Sequence, residues 1–216
     1  MPTARTKVAK KTPAKAEQPL NIFVLGDLGA GKGTQSVLLQ NLFPLYEIDM
    51  GIEQELQRRK DPKLDALLKR TVDQGKLNNT TVYRRLVKNA VLRAPKSKGI
   101  LFAGHPKMPD EVRYVNRFLR TLGRTRAIAV YITIPWKETV RRNSQRKGYF
   151  GNKKRPDDSL AAIAVRRKNA QASLRQSRSV YKELYPYLQI SGMGTVRGVH
   201  GRVMQAIQKL TKKLDS

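Results

Sequence analysis

The apolar positions of the chain fall into short unbroken runs, separated by stretches in which apolar residues recur every three or four positions. The run LNIFVL at residues 20–25 carries no charge and stops at Gly26, as a strand covered on both faces does. Residues 99–103 and 127–134 (AIAVYITI) repeat that pattern, and residues 188–190 give a shorter version. Residues 32–43 place Val37, Leu38 and Leu42 at helical intervals and stop before Pro44. Residues 49–60 and 62–74 predict two short helices, the second closed by Gly75. A helix beginning at Asn79 sets Val82, Leu86, Val87, Ala90 and Val91 on one face. Residues 109–122, 157–185 and 196–210 are helical, and Pro135 opens a further helix at a favoured first-turn position. Strands alternating with helices predict an α/β fold, with a mostly parallel sheet and helices on both faces.

The segment between the first strand and the first helix changes this picture most. Residues 26–34 read GDLGAGKGT, which satisfies G-x-x-x-x-G-K in the strand–loop–helix context that the motif requires. Gly29, Ala30, Gly31 and Gly33 let backbone N–H groups turn inward around phosphate oxygens, and the helix N-terminus adds partial positive charge. Lys32 reaches the outer phosphates as a point charge. The expected ligand is a nucleoside triphosphate, ATP.

A generic loop of this kind carries Ser or Thr directly after the Lys. Here Gly33 comes first and Thr34 second, and the string GAGKGTQ resembles adenylate kinases and their nucleoside-monophosphate-kinase relatives. The resemblance runs over residues 20–212. Gly75-Lys76-Leu77 resembles the G-K-L turn after the acceptor-binding helices, and Gly104-His105-Pro106-Lys107 stands where the family has G-F-P-R. Arg142 and Arg146-Lys147-Gly148 resemble the arginines leading into the lid. Arg155-Pro156-Asp157-Asp158, Ile163 and Arg166 resemble the run leaving it, and Gly194-Thr195-Val196 the loop that packs on the donor adenine. The resemblance implies a P-loop NTPase fold with a five-stranded sheet. It also implies a small acceptor-binding insertion at residues 49–78 and a short lid at 146–156 without metal ligands. The implied reaction is reversible transfer of the ATP γ-phosphoryl group to a nucleoside monophosphate, with Mg²⁺. Lys32, Arg142, Arg155 and Arg166 would stabilise the migrating group, with Asp157 and Asp158 holding the lid arginines. Gly29 to Thr34, Arg142, Thr195 and Val196 would bind the donor nucleotide.

The acceptor half departs from the family. Aligned on Gly51, its T-G-D-x-x-R segment becomes Met50, Ile52 and Glu55 at the three side-chain positions. The Arg of G-F-P-R, which grips the acceptor phosphate, becomes Lys107, and a Gln that reads the acceptor base becomes Glu111. A glutamate where a phosphate should sit adds repulsion, and Lys107 keeps charge without a two-pronged fork. With Gly104 these residues are the acceptor-side candidates. The Asp that orders Mg²⁺ at the end of the strand is Ala103, leaving Asp27, Asp49 and Asp110 as the acids that could replace it. His105 reads as a packed ring beside the pocket, and His200 receives no role.

Charge adds a second theme. Lys and Arg number 44 against 16 Asp and Glu, a formal net charge of +28. Residues 1–19 form a basic tail with five cations and one acid, so most of the excess belongs to the core at 20–216. Such a surface either is simply solvated or meets a polyanion, RNA or a ribosome. An ATP-binding kinase and a catalytically weak relative repurposed for RNA are therefore the two competing readings. The absence of Cys excludes disulfides, and no run approaches the ~20 apolar residues of a membrane span. The expectation is an intracellular protein, in cytoplasm or an organelle matrix, and a monomer unless it is part of a larger assembly.

Overall fold

A computed structural model describes residues 18–71, 79–145 and 160–216. The elements follow the order β1 (Asn21–Gly26), α1 (Lys32–Gln40), β2 (Leu45–Ile48), α2 (Met50–Arg58), α3 (Pro62–Arg70) and α4 (Thr80–Arg93). Then come β3 (Gly99–Ala103), α5 (Pro109–Thr121), β4 (Ala127–Thr133), α6 (Trp136–Ser144), α7 (Leu160–Leu184), β5 (Tyr187–Ser191) and α8 (Val196–Asp215). The five strands are all parallel, in the order β2-β3-β1-β4-β5. β1 is central, and all six of its residues are buried, as its uninterrupted apolar run requires.

Alternation along the strands divides the core in two. Phe23, Leu25, Ile100, Phe102, Ala129 and Tyr131 face α4, α5 and α7. Ile22, Val24, Leu101, Ile128, Val130 and Ile132 face α1 and α8. Phe23 and Phe102 stack across neighbouring strands at 4.5 Å. Leu64 and Leu68 dock α3 onto Leu86 of α4, which attaches the α2–α3 insertion to the main body.

Three expectations change. β2 falls in a segment to which the apolar pattern assigned no element, because its four residues include Glu47 and only its ends are buried. The buried face of α1 is Gln35, Ser36 and Leu39, while Val37 and Leu42 are more than half exposed. Pro135 is the N-cap of α6 and not its first helical residue. The turn at Gly75 lies outside the described residues. Among those described, no helix is long and apolar enough to cross a membrane.

Asn21 joins three elements at the start of the sheet. It is fully buried, its amide donates to the carbonyls of Arg124 and Arg126, and its oxygen accepts from the N–H of Ile100 at 3.0 Å. Asn21→Leu removes the partner of the buried Ile100 N–H and of the Arg124 carbonyl, while Arg126 O keeps the backbone N–H of residue 21. The expected cost is about 2 kcal/mol or more, a fall of about 4 °C or more in melting midpoint for a chain of this size, checked by thermal denaturation.

Candidate nucleotide site

β1 delivers the chain to the glycine loop beside β4. A Cβ on Gly26 would lie 2.3 Å from the carbonyl oxygen of Ile132, so a side chain is excluded there. Asp27 then fastens the loop to β4. Its N–H donates to Ile132 O at 3.0 Å, and its carboxylate accepts from Tyr131 Oη at 2.7 Å, Thr133 Oγ1 at 2.9 Å and Ile134 N at 2.8 Å. Gly29 and Gly31 take φ of 77° and 88°, the left-handed conformation that glycine adopts at least cost. Gly31 caps α1 without a side chain, leaving the first-turn N–H groups to an outside acceptor.

Around this loop opens a cleft of about 430 Å³, lined by Gly29, Ala30, Gly31, Thr34, Arg142, Thr195 and Val196 among others. These sequence-predicted donor-site residues, from three separate parts of the chain, therefore share one cavity of the size a nucleotide fills. Arg142 braces its wall. Its guanidinium donates to Gly29 O at 3.3 Å and Gly192 O at 2.9 Å, and Nε donates to Glu138 Oε1 at 2.5 Å. Arg141 and Arg142 hold the Glu138 carboxyl down to about 2, so the cluster stays ionised near neutral pH. On the opposite wall Thr195 Oγ1 accepts from Gly198 N and caps α8, leaving Val196 exposed at the mouth above buried Val199. Gln35, Arg141 and Val199 also line the cleft and were missed. Gln35 ends the string GAGKGTQ, and its side chain meets both Val196 O and His200 Nδ1.

Lys32 Nζ donates to Gly26 O at 3.0 Å and Asp27 O at 2.9 Å. Its stem runs past Gly104, where a Cβ would approach Lys32 Cε to 3.0 Å. The phosphate-loop lysine thus meets the loop after β3, where donor and acceptor halves adjoin. Arg155, Asp157 and Asp158 lie outside the described residues, as do Arg146 to Gly148. Arg166 falls on α7, with its side chain likewise outside them.

The acceptor-side residues are dispersed. Met50 packs against the core, and Glu55 is half exposed and ion-paired with Arg59 at 3.1 Å. Glu111 is buried, and its carboxylate accepts from the N–H groups of Lys107 and Met108, which caps α5. Burial raises its carboxyl above the usual range. Lys107 is exposed on the loop after Gly104. Glu53, which the sequence did not single out, is buried and takes Arg93 Nη2 at 2.6 Å, tying α2 to the end of α4.

The described acids do not fit a protein-held metal beside Ala103. Asp27 is saturated by β4, Asp49 accepts from Gly51 N and Ile52 N as the cap of α2, and Asp110 is exposed on the first turn of α5. No group of three or more His, Asp and Glu able to hold a metal occurs among the described residues.

No protein-family model matches the chain. It is 25% identical to an adenylate kinase of Azobacteroides pseudotrichonymphae, over 88% of this chain and 98% of that protein. Adenylate kinases of Flavobacterium johnsoniae and Phocaeicola vulgatus match at 25% and 26%, over 88% of this chain and the whole of theirs. The chain is adenylate-kinase-like. The likeness covers 191 residues of the chain.

His105 gives the stability of this fold a pH dependence. The buried ring lies between Tyr83 Oη at 2.9 Å and Ile48 O at 2.7 Å. The carbonyl can only accept, so Nε2 carries the proton and Nδ1 accepts from the phenol. Burial lowers the imidazole to about 4 from its ordinary 6.5. The unfolded chain therefore binds the proton more readily, and stability falls as pH drops through that window. Unfolding free energy should be lower by ~2 kcal/mol at pH 5 than at pH 8 through this group alone. Denaturant titrations of wild type and His105→Gln at both pH values check this, the variant losing that part of the pH dependence.

Proposed function

We propose that the chain binds ATP in the cleft between the glycine loop and the start of α8, and passes its terminal phosphoryl group to a nucleoside monophosphate. The observation that carries the reading is the convergence of Gly29, Ala30, Gly31, Thr34, Arg142, Thr195 and Val196 on one cleft, with Lys32 leading from it to Gly104. The triphosphate would lie on the N–H groups of the loop and the first turn of α1, while the base rests on Val196 and Val199. Lys32 would exchange the carbonyls of Gly26 and Asp27 for phosphate oxygens, a stronger, charge-assisted pairing.

In the transfer, an oxygen of the acceptor phosphate bonds to the γ-phosphorus. The bond to the β–γ bridging oxygen breaks, and ADP leaves with that electron pair. Positioning and positive charge around a loose transition state supply most of the rate, so the chain needs no nucleophile of its own. Mg²⁺ travels with ATP in this chemistry, but no described carboxylate is placed to order it. On the acceptor side Lys107 offers a single charge and Glu55 opposes a phosphate, which weakens the hold on every monophosphate alike; selection against AMP rests on Glu111, which stands in place of the base-reading Gln and caps α5.

Purified chain incubated with ATP, Mg²⁺ and a panel of AMP, CMP, GMP, UMP and their deoxy forms should yield ADP with at least one acceptor other than AMP. Lys32→Ala should lower that rate by about 100-fold or more without shifting the melting midpoint. No turnover above the Lys32→Ala control with any acceptor would refute the transfer reaction.

A further inference from the structure

The end of the molecule opposite the cleft gathers positive charge. The strands are parallel, so their N-terminal ends share one edge, reached by the loops 94–98 and 122–126 and by the end of α8. Arg124 knits two of these loops, donating to the carbonyls of Ala94, Pro95 and Lys98. Arg126 pairs with Asp215 at 2.9 Å and draws in the end of α8. The result places Lys96, Lys98, Arg120, Lys212 and Lys213 on one edge, all exposed. None of these five meets an acid among the described residues, and Asp215 is already engaged. Gln18 accepts from Thr125 Oγ1 at the same edge.

We infer that this edge binds the phosphodiester backbone of a nucleic acid. Five unpaired cations without acids is the footprint of a surface that releases counterions from a polyphosphate chain. Some of this charge also complements helix C-termini, since α4, α5 and α8 all end here. Arg120 stands in the last turn of α5, and Lys212 and Lys213 in that of α8, where they complement the helix ends while their exposed charged groups stay open to an outside phosphate. A lipid surface fits less well, because peripheral binding favours an amphipathic helix lying flat with its apolar side down, and these helices meet the edge end-on. The inference is independent of phosphoryl transfer.

The test is fluorescence anisotropy with the full chain on a 30-nucleotide single-stranded RNA and a 30-base-pair DNA duplex, from 50 to 300 mM KCl. Lys96→Glu/Arg120→Glu should weaken binding at least tenfold at 100 mM salt and lower the salt slope by about 2. Lys63→Glu/Arg70→Glu, with the same change in charge on α3, should weaken it less than threefold. The milder Lys212→Gln/Lys213→Gln should weaken it about threefold or more. Unchanged melting midpoints and ATP binding would show that each variant folds. A loss greater for RNA or for DNA identifies the source of the phosphodiester. Equal losses in the edge and α3 variants, no binding at 50 mM salt, or tighter binding to phosphatidylserine vesicles than to either nucleic acid would each overturn the inference.

Discussion

The nucleotide cleft depends on how β4 holds the first turn of the glycine loop. Gly26 must pass against the Ile132 carbonyl, where a Cβ would stand only 2.3 Å away, and Asp27 then binds β4 through its N–H and both carboxylate oxygens. These contacts fix where the chain leaves the sheet, and so where the N-terminus of α1 points. Everything opposite is aligned to that point. Arg142 reaches from α6 to Gly29 and Gly192, and Arg202 reaches from α8 to the carbonyls of Ser191 and Met193. The cleft is thus a frame of backbone carbonyls and arginines around a loop whose own N–H groups remain for a ligand, an arrangement suited to an anion.

The same use of Asp27 withholds its carboxylate from a cation beside Ala103. A carboxylate saturated by Tyr131, Thr133 and the Ile134 N–H gains nothing by turning toward a cation, because the buried Tyr131 hydroxyl and Ile134 N–H would be left unpaired. The acceptor half shows a related trade. Glu111 caps α5 and Glu53 ties α2 to Arg93, so two acids there stabilise the framework, and Lys107 remains as the exposed cation of the loop after Gly104. The donor-side residues converge on one cleft, while Glu53 and Glu111 are held in structural bonds.

Much of this was legible in the sequence. Continuous apolar runs identified β1, β3 and β4, and the glycine spacing located the phosphate loop, because both signals are local. β2 was not legible, since a four-residue strand containing Glu47 is stabilised by pairing with β3 and not by its own pattern. The face of α1 was misjudged because polar Gln35 and Ser36 are buried, with Gln35 bonded to Val196 and His200 more than 160 residues away. Glu111 stands in the sequence as the replacement of a base-reading Gln, and its contacts with Lys107 N and Met108 N add that it caps α5. The basic edge was foreshadowed by net charge, but its location required the sheet order and the bonds of Arg124 and Arg126.

The central claim is that one cleft, braced by Arg142, receives ATP. Calorimetric titration of ATP into the wild-type chain and into Arg142→Ala tests it most directly. Saturable binding of one ATP per chain is expected, weakened by about tenfold in the variant, as loss of a charge-assisted brace implies. Equal affinity in the two proteins, or no binding by the wild type, would contradict it.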